Sequence, residues 1–270
     1  MGRSNPMKGN KMHRANIPMA FVASLFLTTF SFAITGEQVV NQVDRNMTFN
    51  TAYFESTMVI HIGKEVREKK MTSYARGRTA SFAEFLSPAR DRGVKYLKLE
   101  DNMWMYLPSV DKTIKIAGHM LRQSMMGSDF SYEDALESEK LLEKYTATLI
   151  SEEPVKLTFK KGNVSVSRER KCYVVDLTAK VKNVAYFKRR VWIDKELFVP
   201  VREDLFAMSG KKLKEMTVGD VEQFGTRYYP MYYSMKNLLR ADSLTEMYIT
   251  KARFNVDIPT KLFSVGSLTK

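Results

Sequence analysis

The sequence of 270 residues contains a single cysteine, Cys172. One thiol cannot form an intramolecular disulfide, so the core must be held together by side-chain packing alone. Cys172 lies in the pattern C-Y-V-V-D-L, which is typical of a β-strand. A buried, inert thiol is expected there rather than a reactive one.

The sequence also lacks the motifs of common enzyme classes. It has no G-x-S-x-G elbow, H-E-x-x-H or C-x-x-C metal pair, or G-x-x-x-x-G-K-[ST] phosphate loop. Of its three histidines, His13 lies near the N-terminus, and neither His61 nor His119 has the sequence frame of a Ser–His–Asp site. We therefore predict a protein without catalytic activity, bound metal or cofactor.

One group of acidic residues leaves alternatives open. Asp129, Glu133 and Asp134 could flank a sugar or bind a divalent ion, although their spacing is not that of a calcium-binding loop. Capping of a short helix by Ser131 or Asp129 is the simpler interpretation. A lipid hydrolase that uses Asp129 or His119 stays open as a third hypothesis, without a visible nucleophile–base pair.

Long hydrophobic runs are confined to one segment near the N-terminus. Residues 17–32 are almost wholly apolar, follow four basic residues without an acid, and end in the cleavage pattern S-F-A. This pattern predicts a Sec-type signal peptide over residues 1–33 and export to the periplasm, leaving one domain over residues 34–270. The alternatives are an uncleaved anchor and a true start at Met7 or Met12.

Acidic residues are outnumbered by basic ones, which gives a net charge of +13. Four of these charges belong to the predicted signal peptide, which leaves +9 for the domain. A basic surface is typical of proteins that bind nucleic acid or anionic membranes. Export argues against nucleic acid and favours anionic lipid head groups or an acidic protein, with solubility alone as the alternative.

The clearest local pattern is a hairpin. Alternating residues and the tight turn Asp101-Asn102 predict that Leu97 and Leu99 share one face with Trp104 and Tyr106. A return strand carries Ile114 and Ile116. The segment that follows loses the two-residue period and is rich in methionine, which suits a movable cover because Met repacks around irregular partners. The alternative is that these methionines simply fill a core.

The rest of the chain predicts a mainly β protein. A helix opens at Thr35, and a first strand carries Met58 and Ile60. About a dozen strands follow one another with turn residues between them, and Glu152-Glu153-Pro154 predicts a break between two of them. We expect a single curved antiparallel sheet that forms a half-open β-barrel, with a few helices over its concave face.

Several motifs resemble one family. They are M-W-M-Y-L-P, M-M-G-S-D-F-S-Y-E-D, F-L-S-P-A-R-D-R-G-V-K-Y-L and I-P-T-K-L-F-S. Together they resemble the LolA-like outer-membrane lipoprotein-sorting proteins of the bacterial envelope. The resemblance implies a LolA/LolB-like half-barrel that carries acyl chains through the periplasm without catalysis. It further implies an inner-membrane transporter or outer-membrane acceptor as partner, and a lid-latching arginine, for which Arg90 and Arg92 are the candidates.

The function predicted from sequence is therefore a carrier that binds acyl chains of lipoproteins or other envelope lipids. Its trough is expected to be left vacant by the protein's own side chains. The predicted lining residues are Leu97, Leu99, Trp104, Tyr106, Ile114, Ile116, Met58 and Ile60. The predicted lid residues are Met120, Met125, Met126, Phe130 and Tyr132. The alternative is an envelope interaction or sensor protein that uses the same fold to bind a protein partner.

Overall fold

The computed structural model describes residues 1–3, 34–137, 140–162 and 164–270. Contacts divide the chain into two units, Met1–Ala33 and Ile34–Lys270. Apart from its first three residues, the predicted signal peptide lies outside the described residues, so cleavage after Ala33 stays a prediction. Among the helices in the described ranges, none is both long enough and apolar enough to cross a bilayer.

Within the described ranges, the second unit forms one antiparallel sheet of thirteen strands. The strands are β1 (Thr51–Ile62), β2 (Glu65–Arg76), β3 (Ala80–Ser87), β4 (Lys95–Leu99), β5 (Asn102–Leu107), β6 (Lys112–Ile116), β7 (Tyr145–Lys161), β8 (Val164–Ala179), β9 (Lys188–Asp194), β10 (Pro200–Phe206), β11 (Lys212–Phe224), β12 (Arg227–Asn237) and β13 (Ser243–Phe254). Their order across the sheet is β6-β5-β4-β3-β2-β1-β13-β12-β11-β10-β9-β8-β7. Most neighbours are joined by short turns, and the pairing of β1 with β13 unites the two halves.

The sheet is open and strongly bent. Its edges, β6 and β7, do not pair with each other. Phe159 on β7 stacks on Tyr232 of β12 with ring centroids 5.6 Å apart, although four strands separate β7 from β12 in the sheet. The predicted class, a mainly β protein built on one antiparallel sheet that does not close, is confirmed.

Three α-helices occur in the described residues: α1 (Gly36–Met47), α2 (Tyr132–Leu136) and α3 (Leu141–Lys144). Helix α1 begins where the sequence predicts, because Thr35 and Gln38 form a reciprocal capping box. Its valines at helical spacing, Val39, Val40 and Val43, pack on the sheet. Their buried partners there are Tyr145, Val175, Leu177, Val191 and Ile193.

Two local predictions were wrong. The β4–β5 turn consists of Glu100 and Asp101, one residue earlier than predicted, and Glu100 has a positive φ of 51°. Moving the turn by one residue shifts the pairing by two residues, so the partners change but the faces do not, since the side-chain period of a strand is two. The expected break at Pro154 is also absent, because β7 runs through it as an edge strand, where a missing N–H is tolerated.

Candidate functional site

The predicted trough residues divide between the two faces of the sheet. Leu97 pairs with Trp104, so both side chains project from one face. Met103 pairs with Ile116, and both project from the opposite face. The predicted residues therefore form two groups rather than one lining. The tail-face group contains Leu97, Leu99, Trp104 and Tyr106, and the lid-face group contains Met58, Ile60, Ile114 and Ile116.

The C-terminal tail covers the first group. Phe263 and Leu268 are buried against Leu97, which is itself fully buried. Leu99, Trp104 and Tyr106 are partly buried in the same cluster. Lys95 Nζ donates a hydrogen bond to the Lys270 carbonyl oxygen at 2.5 Å, which holds the end of the tail to β4. These residues thus serve as the docking surface of the protein's own tail.

The Met-rich segment covers the second group. This segment, which we call the lid (residues 118–137), consists of short 3₁₀ turns followed by α2. Met120, Met125 and Met126 pack on a cluster that includes buried Met103 and Ile116. Met125 also contacts the cluster of Met58, Ile60 and Met247. The contact between lid and sheet is therefore a continuous apolar layer that is rich in methionine.

The remaining predicted lid residues extend this layer across the sheet. Tyr132 is buried beside Tyr96, with ring centroids 5.9 Å apart. Phe130 meets Tyr233 of β12 edge-on, also at 5.9 Å. The lid therefore bridges the β3–β6 part of the sheet and the β9–β13 part. All five predicted lid residues lie on this one face, although their role as a movable cover stays a prediction.

Asp129 fastens the lid to β13. Its side chain is 2% exposed and accepts hydrogen bonds from Ser243 Oγ at 2.5 Å and Thr245 Oγ1 at 2.7 Å. The neighbouring carbonyl of Gly127 accepts a hydrogen bond from Arg240 Nη1 at 2.9 Å. Asp129 is thus neither the helix cap nor an exposed carboxylate, because its acceptor sites are directed at β13.

A second set of polar contacts holds the C-terminal part of the lid. Ser131 caps α2 in a capping box with Asp134, as one of the predicted alternatives requires. Asp134 also pairs with Lys214 Nζ at 2.5 Å and accepts a hydrogen bond from Tyr186 Oη at 2.5 Å. Burial and the Asp134 carboxylate raise the pKa of the Tyr186 hydroxyl above its ordinary value, so Tyr186 remains a donor.

Arg189 of β9 completes this network by pairing with Glu137 of the lid and with Glu203 of β10. Burial alone would lower its pKa, but the two carboxylates hold the pKa of Arg189 well above its ordinary value. The sequence did not single out Arg189, because its neighbours are brought together from distant strands. The two candidate arginines make their polar contacts outside the lid: Arg90 lies beside Asp91, and Arg92 donates a hydrogen bond to the Leu86 carbonyl oxygen.

The other candidates for chemistry lie apart from one another. His61 pairs with Glu246 at 2.8 Å, whereas His119 is exposed in the lid. Cys172 is fully buried, and burial raises the pKa of its thiol to about 12, in agreement with an inert thiol. The described residues contain no group of three or more metal-ligating side chains placed to hold an ion.

Two cavities lie away from the predicted trough residues. An apolar space between β7 and β10–β11 holds about 10 Å³. A cleft of about 880 Å³ at the C-terminal end of α1 is lined by polar side chains such as Asn41, Asp44 and Asn255. The predicted trough residues Met58, Ile60 and Leu97 are fully buried, in clusters to which the lid and the tail contribute. The lid and the tail occupy these faces because both segments carry their own apolar side chains.

The fold places this chain among known proteins. A family model described as an uncharacterized protein matches residues 77–270. The chain belongs to that family. No curated protein matches the sequence.

Several solved structures superpose on this fold. A DUF1329 family protein from Desulfovibrio piger superposes with a TM-score of 0.74 at 22% identity, over 86% of this chain and 97% of that one. A domain classed with outer-membrane lipoprotein-sorting proteins, from Vibrio parahaemolyticus, gives 0.73 at 20% identity, over 87% and 98%. A LolA superfamily protein from Nitrosomonas europaea gives 0.69 at 18% identity, over 87% and 100%. The resemblance to the LolA-like family read from the sequence is confirmed at the level of the fold.

Proposed function

We propose that this protein is a non-catalytic periplasmic carrier that holds an acyl chain of a lipoprotein or another envelope lipid beneath its lid. The supporting observation is the methionine-rich layer between lid and sheet, in which Met120, Met125 and Met126 face Met103 and Met58. Unbranched thioether side chains adapt to partners of irregular shape. An acyl chain is such a partner, and it would replace the lid side chains on the sheet.

The energetics allow this exchange. Burying an acyl chain contributes about 0.8 kcal/mol per CH₂ group, so a chain of about 16 carbons contributes on the order of 10 kcal/mol. Breaking the hydrogen bonds of one buried carboxylate costs about 1–3 kcal/mol. If the contacts of Asp134 and Glu137 stay in place, the burial of the acyl chain outweighs the loss of the Asp129 contacts, provided that the acyl chain covers the surface that the lid exposes.

The proposed acyl site is lined only by the lid-face group of predicted residues. Met58, Ile60 and Ile116 lie under the lid, with Ile114 at its margin. The tail-face group lies across the sheet and is not part of the proposed acyl site. The partners that would load and unload the carrier are an inner-membrane transporter and an outer-membrane acceptor, in keeping with the fold of the Vibrio and Nitrosomonas proteins.

Photo-crosslinking with a diazirine-labelled fatty acid tests the acyl site without relying on a core substitution. Peptide mapping should place the label on residues that the lid covers, around Met58, Met103 and Ile116. Native mass spectrometry of protein purified from envelope fractions should show acyl-bearing adducts. Labelling confined to the Leu97–Trp104 face, or the absence of both labelling and adducts, would refute the proposal.

A second candidate is an envelope interaction protein that binds a protein partner through the same fold. The observation in its favour is the polar cleft of about 880 Å³ beside α1, where the side chains of Asn41, Gln42 and Asn50 line open space. A polar cleft of this size suits a hydrophilic segment better than an acyl chain. A tight protein partner that is lost in Asn41→Leu, together with no acyl adducts, would favour this candidate.

A further inference from the structure

The meandering topology collects six strand connections at one end of the sheet. Because successive antiparallel strands reverse direction, every second turn lies at the same end. We call this end the turn rim. It consists of residues 63–64, 88–94, 108–111, 180–187, 207–211 and 238–242. Among the described residues, the opposite end carries 77–79, 100–101, 162, 195–199 and 225–226.

Backbone hydrogen bonds link two of these turns to each other and connect two of them to the ends of neighbouring strands. Gly63 N donates to the Asp242 carbonyl oxygen at 2.8 Å, which links the β1–β2 and β12–β13 turns. Leu238 N donates to the Leu213 carbonyl oxygen at 2.8 Å, at the start of β11. Phe187 N donates to the Phe206 carbonyl oxygen at 3.0 Å, which links the β8–β9 connection to β10. The turns from β8 to β13 and the β1–β2 turn are therefore held next to one another at this end of the sheet.

Large apolar side chains are exposed at the tips of these turns. Met208 is 77% exposed, Leu239 59% and Val110 56%. Val181 and Leu238 are also exposed, at 42% and 38%. In the described part of the chain, no connection at the opposite end carries an exposed large hydrophobic residue, and Val164 next to the β7–β8 turn is the nearest counterpart.

Charge follows the same asymmetry. The rim connections carry seven basic residues and three acidic ones. The basic residues are Lys64, Arg90, Arg92, Lys180, Lys182, Lys211 and Arg240, and the acidic residues are Asp91, Asp111 and Asp242. The opposite connections carry two basic residues against three acids. Exposed apolar tips among cations are the combination that binds an interface between acyl chains and anionic head groups.

We propose that the turn rim docks on the surface of a bilayer that contains anionic phospholipid. The apolar tips enter the head-group region, and the surrounding lysines and arginines contact the phosphates. The rim adjoins the lid, since Arg240 of the β12–β13 turn donates to the Gly127 carbonyl oxygen of the lid. Docking would therefore place the lid next to the membrane. This surface does not depend on acyl binding, which is measured separately by photo-crosslinking without vesicles.

Vesicle sedimentation tests the proposal on the domain over residues 34–270. Vesicles of phosphatidylcholine with phosphatidylglycerol should bind the protein, and vesicles of phosphatidylcholine alone should bind it much less. Met208→Ser combined with Leu239→Ser should lower partitioning at least tenfold. Lys180→Gln combined with Lys182→Gln should lower it by a factor of about 25, since each cation near an anionic surface contributes roughly a factor of five.

Matched control substitutions lie at or near the end of the sheet opposite the turn rim. Val164→Ser removes an equally exposed hydrophobic side chain, and Lys156→Gln combined with Lys160→Gln removes two exposed cations from β7. These variants should keep partitioning within twofold of the unaltered domain. No preference for anionic vesicles, or equal losses in rim and control variants, would overturn the proposal. Retained acyl labelling in the rim variants would show that the two surfaces act separately.

Discussion

Thr245 of β13 exchanges two hydrogen bonds with Asp129 of the lid. Its hydroxyl donates to the Asp129 carboxylate at 2.7 Å and accepts from the Asp129 backbone N–H at 2.9 Å. All of these groups are buried. The pair joins residues 116 positions apart in sequence and is the contact through which the centre of the lid is held to the sheet.

Asp129→Ala should loosen the lid without unfolding the sheet. The substitution leaves the buried hydroxyl of Thr245 without its acceptor and removes the shorter hydrogen bond of Ser243, which costs about 1–3 kcal/mol. Hydrogen exchange of residues 118–137 should accelerate about tenfold or more, while exchange in α1 stays unchanged. Thr250→Val, an exposed position on the same strand, is the control. Uniform acceleration throughout the chain would mean that Asp129 supports global folding rather than the lid.

Leu268→Ala should destabilise the tail and uncover Leu97. Leu268 is fully buried in the cluster with Phe263, so the substitution creates a cavity that costs about 2–5 kcal/mol. Urea denaturation measures this loss. Val265→Ala in the same tail removes a side chain that is 40% exposed and should cost far less. Equal effects of the two substitutions would show that the tail is not docked as described.

Gly36→Ala should weaken the packing of α1 on β7. A Cβ atom at Gly36 would lie 2.8 Å from the backbone N of Leu149 and 2.9 Å from the carbonyl oxygen of Ala147. Backbone atoms cannot yield as a flexible side chain does, so we expect a loss of about 1–3 kcal/mol in the free energy of unfolding. Gly266→Ala, where a Cβ would meet nothing within 4 Å, should be nearly neutral in the same denaturation experiment.

Glu246 should make stability depend on pH in the acid range. Burial raises its pKa, but hydrogen bonds from His61, Tyr248 and Tyr232 outweigh burial and hold the pKa below its ordinary value of 4.5. Since the folded state holds this proton less tightly, the stabilisation is complete above 4.5 and is lost as pH falls through the lower folded pKa.

Thermal midpoints measured between pH 6 and pH 3 would check this dependence. The fall in Tm below about pH 4.5 should be smaller in Glu246→Gln than in the unaltered protein. Glu196→Gln, an exposed carboxylate in the β9–β10 connection, should leave the profile unchanged. A Glu246→Gln profile that runs parallel to that of the unaltered protein would contradict the assignment.

Much of the fold follows from local patterns. Helix α1, the β4–β5–β6 meander and the sharing of a face by Leu97 and Trp104 were predicted from periodicity and turn residues, and the structure agrees. The one-residue error in the position of the turn did not change which face each side chain is assigned to, because it shifts the strand pairing by two residues. The continuity of β7 through Pro154 was missed, since a strand is recognised as an edge only once its neighbours are known.

The sequence by itself determined which side chains lie together on each strand, because alternation along a strand is a property of the backbone. It could not determine that Leu97 meets Leu268 whereas Ile116 meets the lid. Both faces of the β3–β6 region are apolar, so either was an equally good trough by pattern. Only the tertiary structure decided between them, because the covering segments arrive from distant parts of the chain and their places are set by contacts such as those of Asp129 and Lys95.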